Sequence, residues 1–485
     1  MSYLDLSIRE IHQAYLEKKA TPLELTKEAL LRAKADRDNC FECLDEEGAL
    51  AFASSLTEVE EDNLLWGIPY ACKDNISTKG IETTASSNIL NGYIPVFDAT
   101  VIAKLKEAKA ILIGKTTLDE LAMGGTGTTG HKGWTYNPFD PSHTRMIGGS
   151  SCGSAAVVAA SIVPFSLGSD TGDSIRKPAS YGGLVGLKPT WGRISRYGLF
   201  PFAPSLDHIG VFTRNVEDSA ILLSALAGRD EKDTTSSSKP VENYASKLGK
   251  NPQIRIAIIK EIIDCISDSY VLEAFDKFVN LLKKEGATIE YAHMDKRLLL
   301  SMHGTYYIIS SAMATSNNAN LDGIKFGPHQ EGATYEECMR KARTIGFSER
   351  IKRRFVLGSY CLFADNQVDY FLRAQRNRAK IVASVNDILK DYDLILAPAA
   401  PTVAHRFDEE IDPLSDESLI PENHLVLGNF AGLPSITIPF ALKDGLPLGV
   451  NFMGRAFEEG KLLSYASKAE GLTGLKGLSA PKEER

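Results

Sequence analysis

The sequence predicts an α/β fold with one large sheet and a helical insertion. Over residues 64–228, short apolar runs such as 110–113 alternate with Gly-rich turns and small-residue helices, the pattern of a sheet core. Later apolar runs at 394–397, 435–438 and 449–452 can rejoin that sheet. Because 43% of the 485 residues are hydrophobic and no G-X-Y or heptad period occurs, the chain is neither disordered nor fibrous.

The first 63 residues are expected to form two or three amphipathic helices. Thr21 can cap a helix, Pro22 suits its first position, and Glu24 completes a capping box. The signature-rich core follows at residues 64–228. Residues 229–253 are polar with few apolar anchors, so we expect a surface linker there.

Residues 254–390 are predicted to form a second β/α unit that continues into a helical insertion. A strand is expected at 254–259, and residues 300–390 are mostly helical and charged. Between them, apolar residues recur at i, i+4, i+7, i+8 and i+11, which is one helix face: Val271, Phe275, Phe278, Val279 and Leu282. Residues 391–475 return to strands and end in a helix at about 457–472, so residues 1–485 are expected to form a single domain.

Charge and cysteine content limit the partners and the compartment. The net charge is −8, so the chain does not attract nucleic acid by bulk charge. Seven cysteines, an odd number, fit a reducing compartment, and the single CxxC pair of Cys40 and Cys43 lacks the second half of a zinc site. The N-terminus has no signal-peptide pattern and no apolar run approaches 18 residues. We therefore expect a cytoplasmic protein with no metal site and no membrane segment.

The segment at 147–190 is the most unusual part of the sequence, because glycines and serines cluster on both sides of a small-residue helix. It lacks the Gly-Lys-Ser/Thr ending of a phosphate-binding loop. Residues 149–153 match the nucleophile elbow G-x-S-x-G with Ser151 at the centre, but a polar loop stands where an elbow needs a strand. Ser174 and Lys177 match S-x-x-K, a pattern that is common by chance. A tight helix-packing turn explains the glycines but not the serines.

Three blocks of the sequence together resemble the amidase signature family. They are Lys73-Asp74-Asn75, the stretch GGSSCGS at 148–154, and SDTGDSIRKPA at 169–179. The resemblance implies a large mixed central β-sheet covered by helices on both faces. It also implies a Ser–cis-Ser–Lys triad in which Ser174 is the nucleophile, Ser150 the bridging serine and Lys73 the base. The N–H groups of Thr171, Gly172, Asp173 and Ser174 would then form the oxyanion hole.

Elementary chemistry supports a lysine base at this site. A serine hydroxyl needs an adjacent base, and no histidine lies in these blocks, so a histidine relay would need the distant His131, His208 or His405. Lysine can accept a proton only when neutral, which costs roughly 4.6 kcal/mol at pH 7 from its ordinary pKa. Burial among small residues offsets that cost.

One residue departs from the family pattern in a way that bears on activity. Asp173 stands where the family has a second glycine. If the position required a positive φ, Asp173 would be strained, and an inward carboxylate would favour protonated Lys73. The alternative is a side chain that points to solvent and leaves the oxyanion N–H intact. Cys152, which also replaces a glycine, need not be reactive.

Further blocks resemble the A subunits of tRNA-dependent glutamine amidotransferases. They lie at 100–124, 186–210, 322–327 and 352–358. The resemblance implies that the chain releases ammonia from glutamine, and that it needs no cofactor of its own. A B subunit would use ATP and Mg and hold the misacylated tRNA, Glu-tRNA(Gln) or Asp-tRNA(Asn), within a heterotrimer that also contains a C subunit.

The same resemblance implies three substrate contacts for a zwitterion. Arg354 matches the family's carboxylate-binding arginine, and a guanidinium grips a carboxylate bidentately. Tyr307 matches a substrate-contact tyrosine, with Tyr306 one register away, and Glu422 stands where the family has an aspartate for the amino group. Two alternatives remain open: a stand-alone amidase on other small amides, and a catalytically silent scaffold because of Asp173.

Overall fold

One mixed sheet runs through the molecule. The computed structural model describes residues 2–249 and 253–481, and its eleven strands lie in the order β1-β3-β2-β4-β6-β5-β10-β11-β9-β7-β8. The strands are β1 Phe41–Leu44, β2 Pro69–Lys73, β3 Ile111–Thr116, β4 Phe165–Asp170, β5 Val185–Lys188, β6 His208–Thr213, β7 Arg255–Ile259, β8 Thr288–Ala292, β9 Leu394–Pro398, β10 Ser435–Lys443 and β11 Leu446–Gly454. The predicted α/β class, with early and late strands in one sheet, is confirmed.

Helices connect and cover the strands. They are α1 Ile8–Leu16, α2 Pro22–Lys34, α3 Glu46–Ser55, α4 Thr100–Glu107, α5 Cys152–Ala159, α6 Arg176–Tyr181, α7 Val216–Leu226, α8 Lys260–Ile263, α9 Ser269–Lys284, α10 Lys296–Leu300, α11 Met302–Asn317, α12 Tyr335–Gly346, α13 Glu349–Leu362, α14 Arg373–Asp391, α15 Asp416–Leu419, α16 Val426–Phe430 and α17 Glu459–Thr473. In the described part of the chain, no helix combines the length and apolar character that a membrane crossing requires.

Both faces of the sheet are buried, as β7 illustrates. Ile256 and Ile258 lie in one hydrophobic core together with residues of α9. Ala257 and Ile259 lie in a second core together with residues of α11, α13 and α14. Because successive strand side chains point to opposite faces, this division puts one helical layer on each side of the sheet.

Local sequence signals place several elements where the structure has them. Thr21 caps α2 through a complete capping box with Glu24, and Pro22 occupies the first helical position. All five apolar residues of the predicted α9 face are buried. The two edge strands, β1 and β8, were not predicted. Each is short and carries a glutamate, Glu42 or Glu290, so neither shows the apolar run of a central strand.

The polar segment after α7 lies on the surface and is anchored by a buried tyrosine. Residues 229–249 form turns and one short 3-10 helix, Ala245–Lys247. Tyr244 is buried, and its hydroxyl accepts a hydrogen bond from Nε of Arg193 at 2.8 Å. The predicted linker extends to residue 253, and residues 250–252 lie outside the described part.

We expect Phe278→Ala to lower the free energy of unfolding by about 3–5 kcal/mol. The Phe278 ring packs between α9 and the sheet, with its centroid 5.7 Å from that of Phe440 and 6.4 Å from that of Phe452. Chemical denaturation of the full chain measures the effect. Asp276→Ala, on the exposed face of the same helix, is the matched control and should change stability by less than about 0.5 kcal/mol. Equal effects of the two substitutions would contradict this packing.

Candidate active site

Two neighbouring parallel strands bring the signature blocks together. Strands β2 and β4 pair in parallel, so their carboxyl ends meet at one edge of the sheet. Lys73 is the last residue of β2 and Asp170 the last of β4. Residues 171–175 then lead from β4 into α6, and the glycine/serine loop before α5 lies beside them, where the Ser151 N–H donates to the Ser174 carbonyl at 3.3 Å.

Lys73 is fully buried and is surrounded by neutral oxygens. Its Nζ donates to the hydroxyls of Ser150 at 2.8 Å, Ser151 at 2.9 Å and Ser169 at 2.9 Å. No described carboxylate pairs with it. Burial is the largest influence and lowers the pKa of Lys73 to about 7, although the negative charges of Asp119 and Asp170 oppose the shift. The amine is therefore much easier to deprotonate at neutral pH than an exposed lysine.

Asp119 holds the loop that carries Ser150. The two oxygens of its carboxylate accept N–H groups from residues 126–129 at 3.0–3.1 Å, and its own N–H donates to the Ser150 carbonyl at 3.1 Å. Gly149 lies against this carboxylate, and any side chain there would collide with it. The Gly149–Ser150 peptide bond is cis. The glycine is therefore required by the close approach of Asp119.

A buried ion pair spans the loop from 171 to 175. Arg176 Nη2 lies 3.0 Å from Asp170 Oδ1, and Arg176 Nε donates to Asp170 Oδ2 at 3.1 Å. Arg176 also donates to the Gly172 carbonyl at 2.7 Å. Although burial acts in the other direction, the guanidinium holds the pKa of Asp170 well below its usual range. The pair fixes both ends of the loop.

The loop presents unused donors. The N–H groups of Gly172, Asp173 and Ser174 donate to no acceptor in the described residues. The Thr171 hydroxyl donates to Asp207 at 2.7 Å, which fixes the start of the loop. This arrangement can receive a negatively charged oxygen. Ser174 is 4% exposed. Its hydroxyl forms no hydrogen bond with the described residues, so proton transfer from Ser174 to Ser150 stays a prediction.

Asp173 adopts neither of the two arrangements that the sequence suggested. Its φ is not positive, so the position imposes no left-handed strain on an aspartate. Its carboxylate is not simply solvated, because Oδ2 lies 3.0 Å from Lys177 Nζ. Burial raises the pKa of Asp173, and the adjacent ammonium opposes that rise. The substitution is therefore compensated by a neighbouring cation.

The predicted cation site lies in the helical insertion. Arg354, on α13, is 6% exposed, and its guanidinium lies 4.3 Å from the Tyr307 ring centroid. Its only hydrogen bond to a described residue is from Nη1 to the Ser310 hydroxyl at 3.4 Å, and Nε has no partner there. Burial lowers the pKa of Arg354, but a guanidinium stays charged. An unpaired buried cation calls for an anionic ligand.

Tyr306, the residue before the predicted Tyr307, packs against residues 171–175, which we call the oxyanion loop. A Cβ placed on Gly172 would lie 3.1 Å from Cζ of the Tyr306 ring. Tyr307 instead lies beneath Arg354 and stacks on His303. Both tyrosines are thus near the site. Their side chains point to different sides of α11, and the sequence alone does not show which side faces the loop.

Glu422 lies near the loop but its oxygens are occupied. Oε2 lies 2.9 Å from Lys177 Nζ and Oε1 lies 2.9 Å from His405 Nε2. Although burial acts in the other direction, Lys177 and His405 lower the pKa of Glu422 to about 2. The carboxylate is ionised but already paired, so its predicted contact with a substrate amino group would compete with two protein cations.

The competing motif interpretations fail in the structure. No strand precedes Ser151, which lies directly before α5, so residues 149–153 are not a nucleophile elbow. Glu422 and Asp173 raise the pKa of Lys177 despite its burial, which excludes it as a base for Ser174. The three distant histidines are engaged elsewhere: His131 with Glu42, His208 with Lys188 and His405 with Glu422. Burial raises the pKa of the Cys152 thiol to about 12, so it stays protonated.

Four supporting residues were not predicted from the sequence. Ser151 and Ser169 hold the other two N–H groups of Lys73, Asn75 donates to Ser169 at 2.9 Å, and Asp119 organises the Ser150 loop. Three of them lie inside the signature blocks, but their contacts with Lys73 and with one another are not encoded in the spacing.

Asp36, Asp38 and Cys40 form the one group of possible metal ligands in the described residues, and Asp38 pairs with His143.

Comparisons with known proteins agree with this geometry. The family model described as Amidase matches residues 24–463. The A subunit of glutamyl-tRNA(Gln) amidotransferase from Pediococcus pentosaceus is 42% identical, with 98% of each chain covered. Its counterpart from Listeria innocua is 42% identical, with 97% of this chain and 98% of that protein covered.

Solved structures show the same relationship. The crystal structure of the glutamyl-tRNA(Gln) amidotransferase A subunit from Thermotoga maritima has a TM-score of 0.79 and 36% identity, and covers 96% of this chain and 94% of its own. The peptide amidase from Stenotrophomonas maltophilia has a TM-score of 0.79 and 25% identity, with 99% and 98% covered. This chain therefore belongs to the amidase signature family and, within it, to the A subunits of glutamyl-tRNA(Gln) amidotransferases.

Proposed function

We propose that this chain hydrolyses glutamine with Ser174, Ser150 and Lys73 and supplies the ammonia for converting Glu-tRNA(Gln) to Gln-tRNA(Gln). The observation that carries the chemistry is a fully buried lysine with a pKa of about 7, hydrogen-bonded to Ser150 beside a loop of unused N–H donors. A base poised near the working pH is the requirement for general-base catalysis.

The hydrogen bonds around Lys73 support Ser150 as the serine that relays the proton. Ser151 donates its proton to the Ser169 carbonyl at 3.0 Å, so its oxygen can only accept from Lys73. Ser169 accepts from both Asn75 and Lys73. The two N–H groups of a neutral amine then point at Ser151 and Ser169, and its lone pair points at Ser150. Ser150 is therefore the hydroxyl that can give a proton to Lys73.

The reaction follows from that assignment. Ser174 Oγ attacks the side-chain amide carbon of glutamine, its proton passes to Ser150, and the Ser150 proton passes to Lys73. The carbonyl oxygen becomes negative and accepts N–H groups of the 172–174 loop. The tetrahedral adduct then expels ammonia, which takes the proton back from Lys73 through Ser150. Water hydrolyses the resulting glutamyl ester by the same proton path, so glutamate leaves and Ser174 is restored.

Arg354 is the group for recognising glutamine. A charged guanidinium without a carboxylate partner, nearly buried and adjacent to tyrosines, suits the α-carboxylate. A stand-alone amidase for small neutral amides would have no use for such a group. Because a peptide amidase is among the similar structures, the stand-alone amidase is the second candidate function. The two candidate functions differ in whether Arg354 contributes to turnover.

The remaining partners belong to the complex. We propose a heterotrimer with B and C subunits, in which the B subunit binds the misacylated tRNA and uses ATP and Mg to activate it, with Asp-tRNA(Asn) as a second substrate. This chain needs no cofactor in that scheme. The net charge of −8 supports assigning the tRNA to a partner. Seven free cysteines support work in the cytoplasm.

Ser174→Ala should abolish ammonia release from glutamine in the assembled complex, with kcat falling roughly 10⁴-fold or more because the nucleophile is gone. Ser54→Ala, an exposed serine on α3, should retain full activity. Mass spectrometry of hydroxylamine-trapped product gives a second readout, since γ-glutamyl hydroxamate forms only from the acyl-enzyme. Normal turnover by the alanine variant would reject Ser174. An active parent enzyme would also dismiss the silent-scaffold alternative.

The rate of acyl-enzyme formation should rise as the pH increases through about 7 and level off above that value. Burial lowers the pKa of Lys73 to about 7, and only the neutral amine accepts a proton. Lys73→Arg keeps the donors but never becomes neutral, so acylation should fall roughly 10²–10⁴-fold. Single-turnover kinetics between pH 5.5 and 9, values of about one to two units either side of that pKa, measure both effects. A flat wild-type profile would remove Lys73 as the base.

Arg354→Gln should lower kcat/KM for glutamine roughly 10- to 100-fold, the value of a hydrogen bond to a charged group. Turnover of propionamide, which lacks an α-carboxylate, should not change. Arg353→Gln, an exposed neighbour on α13, is the matched control. Equal losses on both substrates would indicate a structural role for Arg354, and a wild-type preference for propionamide would favour the stand-alone amidase.

A further inference from the structure

The substrate of the proposed reaction carries a positive charge that needs a partner in the site. Glutamine has an α-ammonium as well as an α-carboxylate, so its pocket needs an anion in addition to Arg354. Glu422 is the residue that the family resemblance suggests. Both of its oxygens are already paired at 2.9 Å, one with Lys177 and one with His405. A substrate ammonium would have to displace a protein cation.

Asp173 offers an oxygen that nothing occupies. Its Oδ2 lies 3.0 Å from Lys177 Nζ, whereas Oδ1 accepts no hydrogen bond from any residue in the described ranges. The side chain is 23% exposed, so a ligand can reach it. It also shares Lys177 with Glu422, so it lies next to the residue that the family resemblance assigns to the substrate amino group. Asp173 can therefore offer an open carboxylate oxygen to that group.

Tyr306 lies between the oxyanion loop and the predicted cation site. The Arg354 guanidinium lies 5.4 Å from the Phe202 ring centroid, and the ring centroids of Phe202 and Tyr306 lie 6.5 Å apart. Tyr306 also packs against Gly172, on the oxyanion loop. This ring thus connects the loop that carries Asp173 with the site of Arg354, and these two side chains have the opposite charges that a zwitterionic substrate requires.

The charges around Asp173 leave room for one more cation. Asp173 and Glu422 share a single lysine, Lys177. His405 lies against Glu422 and Glu409. Lys177 is the one cation within salt-bridge distance of Asp173 in the described residues, and it is shared with Glu422. A bound ammonium would give Asp173 a second cation.

We propose, on the basis of the glutaminase function above, that Asp173 binds the α-ammonium group of the substrate and thereby selects amides with a free α-amino group. The selection has a repulsive component. When no ammonium is bound, the Asp173 carboxylate lies next to the loop where an oxyanion must form, and like charges disfavour that transition state. A neutral amide therefore meets a carboxylate that only the shared Lys177 compensates, whereas glutamine brings a second cation to it.

The test compares glutamine with 4-carbamoylbutanoate, which is glutamine without the amino group. The full chain in its complex is assayed for kcat and KM, wild type against Asp173→Asn and Asp173→Gly. Both variants keep the backbone N–H of the loop, and the glycine variant guards against a folding defect specific to asparagine. Where 4-carbamoylbutanoate turns over too slowly, its inhibition constant against glutamine replaces KM.

We expect both Asp173 variants to lower the preference for glutamine over 4-carbamoylbutanoate by roughly tenfold or more, mainly through a higher KM for glutamine. Glu422→Gln tests the alternative residue for the ammonium. It should change the KM values of both substrates by the same factor, because Glu422 contacts Lys177. An unchanged preference in the Asp173 variants, or a loss of preference in Glu422→Gln instead, would overturn the assignment. A wild-type enzyme that does not prefer glutamine would contradict the proposed function itself.

Discussion

The site depends on the ion pair between Asp170 and Arg176. These residues flank the loop of residues 171–175, and neither side chain is exposed. Arg176 also donates to the Leu425 carbonyl and to Asn429, both at 2.6 Å, so the C-terminal part of the chain is tied to the same guanidinium. Removing one partner of such a pair typically costs about 3–5 kcal/mol, because the other charge stays buried alone. The loop therefore keeps one shape while its N–H groups stay free for a substrate.

Two buried lysines on neighbouring strands have different partners. Lys115 is as buried as Lys73, but its Nζ lies 3.3 Å from the carboxylate of Asp74 and donates to the Ile76 carbonyl at 2.7 Å. Lys73 contacts serine oxygens only, so nothing nearby repays the loss of water around its charge. Burial therefore lowers the pKa of Lys73, with no carboxylate in contact to oppose it in the described residues.

The sequence predicts what depends on local spacing and does not predict what depends on contacts between distant segments. The Thr21 cap and the buried face of α9 each depend on residues within one short segment. The signature blocks likewise contain Lys73, Ser150 and Ser174 in a recognisable order. The pairing of Glu422 with Lys177 joins residues 245 positions apart, which no motif contains. The same holds for the packing of Tyr306 against the oxyanion loop, since α11 belongs to an insertion whose placement is set by the second core.

The net charge of −8 takes on a different meaning once the buried charges are located. An acidic chain that acted directly on RNA would need a basic surface to counter the phosphates. Two charges within the chain suit a small zwitterion: Arg354 has no anionic partner among the described residues, and Asp173 shares its lysine with Glu422. Recognition of glutamine needs only this one pair of opposite charges within the chain. The polyanionic substrate can then be left to a partner in the complex, and the surface of this chain is free to be acidic.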